Sequence, residues 1–443
     1  MGAEHVFHRS TGARPPIAVR GEGSFLIDAD GRRYLDACSG AAVSCLGHGH
    51  PRVAAAIAEH AARLEYVHTG FFTTAEGEEL ADLVADLSPG ALDRVWFTSS
   101  GSEATEAALK LARQYHLERG DSGRTQVIAR RLSYHGNTLG ALAVGGSEWR
   151  RAPYAPLLID VSLVDPCFEY RFAEAEESAE DYGRRAANSL EAEILGLGAE
   201  TVMAFIAETV VGATAGAVPP APGYLQKIRE ICDRYGVLLI LDEVMCGSGR
   251  TGTFLSCEQD GVVPDIVTLG KGLGGGYQPI GAVVCTDKVY EAVASGSGAL
   301  KHGQTYNAHP VGCAAALAVQ QIIREEGLLE RVVTTGERLR VLLTSRFSNH
   351  PNVGDIRGRG LLLAIELVAD RATKAPFDPA LKLHERAKSE AFARGLLIYP
   401  GGGTADGRGG DHILLAPPYN IADNELEMIV DLLGDTVDAV LPS

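Results

Sequence analysis

The sequence predicts an α/β fold: a mostly parallel sheet covered by helices, with a smaller α+β domain beside it. Short, continuously apolar runs such as 202–207 (VMAFIA) and 237–241 (VLLIL) suit strands buried on both faces. Helical segments separate these runs, the pattern of a parallel sheet with helices on its faces. After about residue 350 the rhythm changes to short strands among helices, which points to a second unit of α+β type. A chain of 443 residues accommodates about two or three domains.

Taken in order, residues 24–37 (SFLIDADGRRYLDA) read as a hairpin turning at Asp30-Gly31. A Gly/His-rich loop, SGAAVSCLGHGHP, leads into an Ala-rich helix from Pro51 to about Tyr66, and a second helix covers 75–88. Strand 94–98 precedes helix 102–119, and strand 126–130 precedes a loop and a short helix near 137–144. Residues 154–180 are acidic and irregular, the composition of a surface excursion. Strand 202–207, helix 222–235 and strand 237–241 follow; further on come an apolar run at Ile266, Val267 and Leu269 and another from Ile280. Helices are expected over 308–326 and 328–347, then strands 361–367, 396–399 and 412–416 with helices 379–394 and 423–440. The N-terminal hairpin is free to join this last unit, and the glycine patch 401–410 reads as a loop.

Composition excludes several classes. Apolar residues make up 46% and charged residues 22%, as in a packed globular protein. A net charge of −17 argues against a nucleic-acid partner. No apolar stretch reaches the ~18 residues of a membrane span. The start, MGAEHVFHRSTGARPP, lacks an apolar signal core, so a cytoplasmic location is expected. Eight cysteines without C-x-x-C or zinc-like spacing suit reduced thiols. The histidines, including His48 and His50, lack metal-ligand spacing, so no metal is expected.

Six stretches carry candidate chemistry. In TLGKGLGGGYQPIGA, residues 268–282, Lys271 follows an apolar run and precedes five glycines within ten residues. A lysine in such a loop suits an amine that must meet a bulky cofactor closely; the stretch also reads as a plain glycine-rich surface loop. Only eight of the 40 basic residues are lysines, so an amine chemistry has few candidates. SSGSEATEAALKLARQYH, from Ser99 to His116, is a Ser/Gly turn opening a periodic helix. It is either an anion site at a helix N-terminus or a start capped by Glu103. LSYHGNT sets Tyr134 and His135 just after a strand, where ligands gather in open α/β sheets; Tyr134 is a ring platform or an ordinary loop aromatic. Glu208 and Asp242 end apolar strands, where a carboxylate needs a partner: a protonated ring nitrogen, a helix start or a salt bridge. KHGQTYNAHP offers Thr305 as a phosphate contact.

In their order and spacing, these stretches resemble the class III aminotransferases, pyridoxal-phosphate enzymes of fold type I. The resemblance runs from DGRRYLDACSGAAVSCLGHGHP through SGSEATEAALKLAR, SYHG, Glu208, LDEVMCGSGRTG, TLGKGLGGGYQPIGA and HGQTYNAHP to LLLAIEL, nearly the whole chain. It implies a large domain over residues 61–330 with a seven-stranded sheet, and a small domain from 1–60 and 331–443. It implies pyridoxal 5'-phosphate as cofactor, with Lys271 as the Schiff-base lysine and Asp242 paired with the ring nitrogen. Val244 and Tyr134 would pack on the two ring faces, with His135 and Glu208 beside them and Gly101 and Ser102 on the phosphate. Thr305 would reach the phosphate of a neighbouring subunit's cofactor, in a homodimer or dimer of dimers with shared active sites. Tyr66, Phe71 and Arg408 would line the substrate pocket.

The implied reaction moves an amino group from an amine or ω-amino compound to an oxo acid such as pyruvate or 2-oxoglutarate. Members that clamp an α-carboxylate carry an arginine in a stretch like L-R-x-x-P-P. Here HILLAPPYN sets Leu414 and Leu415 there, which disfavours an ornithine-type clamp. Arg408, in GRGGDH, is the candidate for the mobile arginine of ω-type members, or else a solvated loop charge. Arg357 and Arg359 (IRGRG) read as structural. Decarboxylating transaminases, aminomutases and racemases share the same cofactor residues and are the alternatives. A protein that only binds the cofactor would not need the Lys271–Asp242 pair.

Overall fold

The computed structural model describes residues 5–12 and 14–442. The first four residues of the stretch read as a cytoplasmic start lie outside the described residues, as do Ala13 and Ser443. Strands β1 (Ala18–Glu22), β2 (Phe25–Asp28) and β3 (Arg33–Asp36) pair antiparallel in sequence. The β2–β3 turn is the expected one: Gly31 has φ +81°, and Asp28 Oδ1 accepts from the amides of Asp30 and Arg32 at 3.0 and 2.9 Å.

The central sheet has seven strands: β4 (Leu92–Thr98), β5 (Gln126–Arg130), β6 (Ser162–Val164), β7 (Val202–Glu208), β8 (Leu238–Asp242), β9 (Ile266–Leu269) and β10 (Gly281–Thr286). Their order is β4-β10-β9-β8-β7-β5-β6; β10 runs antiparallel to β4 and β9, and the pairs from β9 to β6 are parallel. Every residue of β7 and β8 is buried, because helices cover both faces. Alternation along the strands sorts the side chains. Phe205, Leu239 and Leu241 pack with Leu190 and Ile228 of helices Ala179–Leu197 and Tyr224–Tyr235. Ala204, Ile206 and Ile240 pack with Ala104, Ala108 and Leu111 of helix Gly101–Glu118.

Strands β11 (Val353–Arg359), β12 (Leu362–Leu367), β14 (Tyr399–Gly402) and β15 (Asp411–Leu415) form a sheet in the order β11-β12-β15-β14, while β13 (Leu396–Leu397) pairs parallel with β3. Both ends of the chain share one core, in which Leu35, Leu46 and Val53 meet Leu363, Leu396, Leu426 and Leu433.

Several elements depart from the sequence expectation, strand β1 and helix Asp287–Ser295 among them. The 154–180 stretch contains β6, an edge strand whose three residues carry too little pattern to read. Helix Ala179–Leu197 buries Tyr182, Ala186, Leu190 and Ile194, four residues apart, behind an Arg/Glu-rich exposed face that hid it. Strand β11 is polar (VGDIRGR) and gains its place by pairing with β12. Strand β14 takes the first two glycines of the expected 401–410 loop.

The polar residues of β11 and β12 tie this sheet to the central one. Glu366, fully buried, accepts from Arg171 Nε at 2.6 Å and from Arg357 Nη1. Arg357 also donates to the carbonyls of Ala215 and Gly216, the Gly216 bond being 2.7 Å. That loop follows Glu208, so the triad anchors the backbone leaving β7. Breaking one member of a buried charge set leaves unpaired charge and costs about 3–5 kcal/mol. Arg359 forms a fork to Asp260 at 2.6 and 3.0 Å. Both arginines of IRGRG are therefore structural, as their sequence context suggested.

Candidate active site

The polar residues that end or follow the apolar strands fall on one edge of the sheet. Glu208 ends β7, Asp242 ends β8, Lys271 follows β9, Tyr134 and His135 follow β5, and the Ser99-Ser100 turn follows β4. Carboxyl ends of parallel strands open to ligands where strand order reverses. Here they surround a cavity of about 930 Å³ lined by Gly101, Ser102, Tyr134, His135, Glu208, Asp242, Val244 and Lys271. A second cavity of about 950 Å³, lined by Arg131, Tyr182 and Asp406 among others, holds none of these groups.

Hydrogen bonds fix the carboxylates. Asp242 Oδ2 lies 2.7 Å from His135 Nδ1, and its Oδ1 accepts from the Val244 amide at 2.9 Å. His135 is buried, and its Nε2 has no partner. Glu208 accepts from the amides of Tyr134 and Gly212 at 3.0 and 2.8 Å, and its carbonyl takes a bond from Arg130. Burial pushes the Glu208 carboxyl above its usual value, and the Asp242 charge adds to the shift. Burial likewise holds the Lys271 amine below its usual value, against the opposing pull of Asp242 and Glu208. Among the described residues Lys271 has no hydrogen-bonded or ion-paired side-chain partner. Its backbone sits at φ +42°, a left-handed conformation unusual for a residue with a Cβ and typical of strained functional sites.

Opposite these groups lies a helix N-terminus. Ser100 Oγ accepts from the Glu103 amide at 3.2 Å, and Glu103 Oε2 accepts from the Ser99 amide at 2.7 Å. Capping satisfies those donors and leaves the first-turn amides of Gly101 and Ser102 for an anion. A Cβ on Gly101 would stand 2.7 Å from Val244 Cγ1, and one on Gly136 2.6 Å from Ser102 Oγ. Glycine at both places lets the turn, the β5 loop and Val244 close around one space.

Four predicted site residues lie elsewhere in this chain. The Tyr66 hydroxyl donates to the Thr305 carbonyl at 3.0 Å, in a separate pocket of about 430 Å³ shared with Tyr306 and His309. Phe71 is 81% exposed. Arg408 pairs with Glu148 at 3.8 Å in solvent and does not line the main cavity. Leu414 and Leu415 are wholly buried in β15 and offer the cavity no charge. The cavity instead holds Arg9, Trp149, Arg150, Lys388 and Tyr399, which sequence reasoning missed. Trp149-Arg150 stands among charged residues in SEWRR, and only its distance after SYHG hinted at the site. Glu243 was also passed over: fully buried, it accepts from the Ser256 and Cys257 amides at 2.9 Å each and fixes the loop after β8.

His48 pairs with Asp36 at 3.0 Å, and among the described residues no group of three or more His, Cys, Asp or Glu is arranged to hold a metal ion. All eight cysteines are free and buried. No described helix is long and apolar enough to cross a membrane.

The family model for class-III aminotransferases matches residues 7–437. An uncharacterized aminotransferase of Schizosaccharomyces pombe is 45% identical over 438 residues, 99% of this chain and 95% of that one. Among solved structures, an (S)-enantioselective omega-transaminase from Thermomicrobium roseum superposes with a TM-score of 0.92 at 36% identity, covering 99% of this chain and 97% of the other. A pyridoxamine-phosphate-bound (PMP) aminotransferase from Vibrio fluvialis superposes with a TM-score of 0.89 at 31% identity, over 96% and 93% of the two chains.

Proposed function

Because the chain belongs to the class-III aminotransferase family, we propose how its residues divide the work of moving an amino group from an amine or ω-amino compound to an oxo acid such as pyruvate or 2-oxoglutarate. Enzymes of this family depend on pyridoxal phosphate, which, when bound, supplies an electron sink for the charge left at the substrate's Cα. The cavity fits that group. The Gly101–Ser102 turn suits its phosphate, the space between Val244 and Tyr134 suits a planar ring, and Asp242 suits a protonated ring nitrogen.

One observation carries the reading: Lys271, Asp242 and the Gly101–Ser102 turn face a single cavity. Asp242 would hold a proton at the ring nitrogen, and His135, 2.7 Å from Oδ2, orients that carboxylate. Glu208 shapes the floor through the amides of Tyr134 and Gly212. Lys271 moves the substrate's Cα proton; burial favours its neutral amine, the form that acts as a base. The glycines after it do not line the cavity; they pack tightly behind it, where a Cβ on Gly274 would stand 2.6 Å from Ile280 Cγ2 and one on Gly272 3.2 Å from Ser248 Cβ.

The test is a half-reaction screen of holoenzyme against amines, ω-amino acids and α-amino acids, followed by loss of the cofactor's visible absorbance. Amines and ω-amino compounds are expected to discharge it. Discharge by α-amino acids alone would overturn the ω-type assignment.

Thr305, Tyr66 and Phe71 belong, in this proposal, to the site of a second copy in a homodimer. The exposure of Thr305 and Phe71, and the separation of all three from this chain's own cavity, support it. Mixing two inactive variants, Lys271→Ala and Thr305→Trp, is expected to restore part of the activity, since a mixed dimer contains one intact site. No recovery after subunit exchange would reject sharing.

A further inference from the structure

Arg150 stands in the wall of the reaction cavity in an arrangement that the roles above do not use. Its guanidinium carbon lies 5.0 Å from the centroid of the Tyr134 ring and 4.2 Å from that of Trp149. Both rings line the same cavity. Among the described residues, this guanidinium has no carboxylate or carbonyl partner. The nearest acid in sequence, Glu148, is engaged by Arg408 at 3.8 Å, and Arg151 donates to the Gly145 carbonyl at 3.2 Å. Other partly buried or buried arginines are committed: Arg357 to Glu366, Arg359 to Asp260 and Arg229 to Asp265.

Contact of a guanidinium with a ring face uses none of its N–H donors in a hydrogen bond to an oxygen acceptor, so those donors remain available. Two rings also restrict its orientation, so little ordering is left to do when a ligand arrives. A partly desolvated cation without a counter-ion favours an anion of matching shape, and a planar fork of donors matches a carboxylate. Arg9 and Lys388 line the cavity too and add positive potential, while Asp242 and Glu208 are already held by His135 and by backbone amides. The position where other members carry a clamp arginine is filled by buried Leu414 and Leu415, and Arg408 points to Glu148. The cavity therefore has a different cation suited to the purpose.

We propose that Arg150, held by Tyr134 and Trp149, binds the substrate carboxylate in this cavity and sets the enzyme's preference for carboxylated substrates. The proposal rests on the aminotransferase reading. The carboxylate has two sources: the distal acid group of an ω-amino donor and the acid group of the oxo-acid acceptor. Both present the same planar anion, which in the acceptor is bonded directly to the reacting carbon and in the ω-amino donor lies further along the chain.

The test uses holoenzyme of the wild type, Arg150→Gln and Arg150→Lys. Half-reactions are followed with an ω-amino acid, with the amine of equal chain length lacking the carboxylate, and, in the reverse direction, with pyruvate. Arg150→Gln is expected to lower kcat/KM for the carboxylated substrates about 10- to 100-fold relative to the neutral amine. The loss should lie mainly in KM, and Arg150→Lys should recover part of it. Loss for pyruvate alone assigns the site to the acceptor; loss for both assigns it to donor and acceptor; either supports the proposal. An unchanged ratio between carboxylated and neutral substrates overturns it, as does a shift of the bound-cofactor spectrum that lowers all substrates equally. A failure of the aminotransferase reading is separate, because wild-type enzyme would then convert none of the three.

Discussion

Lys271→Ala is expected to lower turnover by at least about 10³-fold, the upper part of the range for a lost general acid–base. The replacement keeps a Cβ at the same φ of +42°, so the backbone strain is unaltered and the fold should persist. It also removes an amine that burial holds below its usual value, so the melting temperature of the apo form should not fall. Steady-state assays and the visible absorbance of the lysine-bound cofactor provide the readouts. Both are expected to vanish together, while the circular dichroism of the variant matches wild type. Near-normal turnover would remove Lys271 from the mechanism. The other lysine of this cavity, Lys388, is exposed and is the alternative such a result would expose.

Asp242→Asn is expected to lower turnover about 10²- to 10³-fold, the usual effect of removing one preorganised electrostatic partner from a reacting centre. Asparagine keeps the size of the side chain and its bond to the Val244 amide, now 2.9 Å in length. It loses the charge that holds a proton at the ring nitrogen. The cofactor should remain bound, because Lys271 and the Gly101–Ser102 turn are untouched. The rate of Cα proton removal, read as the hydrogen isotope effect on the half-reaction, should become more strongly limiting. Unchanged turnover would show that the charge of Asp242 acts only on His135, which lies 2.7 Å away.

Much of this could be read in the sequence, for a local reason. A strand buried on both faces must be apolar throughout, so a charged residue at its end marks the place where burial stops. Glu208, Asp242 and Lys271 stand at such ends, and parallel strands bring such ends to one edge. The turn at Ser99–Ser102 was readable because helix caps use few residue types. Helix Ala179–Leu197 was hidden by its polar exposed face, and β6 by its three-residue length. Beyond its distance after SYHG, Arg150 gave no signal, because its significance lies in two rings and in the partner it lacks.

The sequence by itself determined the fold class, the strand-end carboxylates and the lysine among glycines, since each follows from local burial and backbone geometry; the class of chemistry came from the order and spacing of the motifs, which resemble those of the class III aminotransferases. Only the tertiary structure decided which edge each strand occupies. It decided that Asp242 takes His135, that Glu366 takes two arginines, and that Arg150 enters the cavity while Arg408 turns to Glu148. It also set Thr305, Tyr66 and Phe71 apart from Lys271. Most of these pairings join residues a hundred or more positions apart. They depend on how crossovers bring distant side chains together, which apolar periodicity along the chain does not encode.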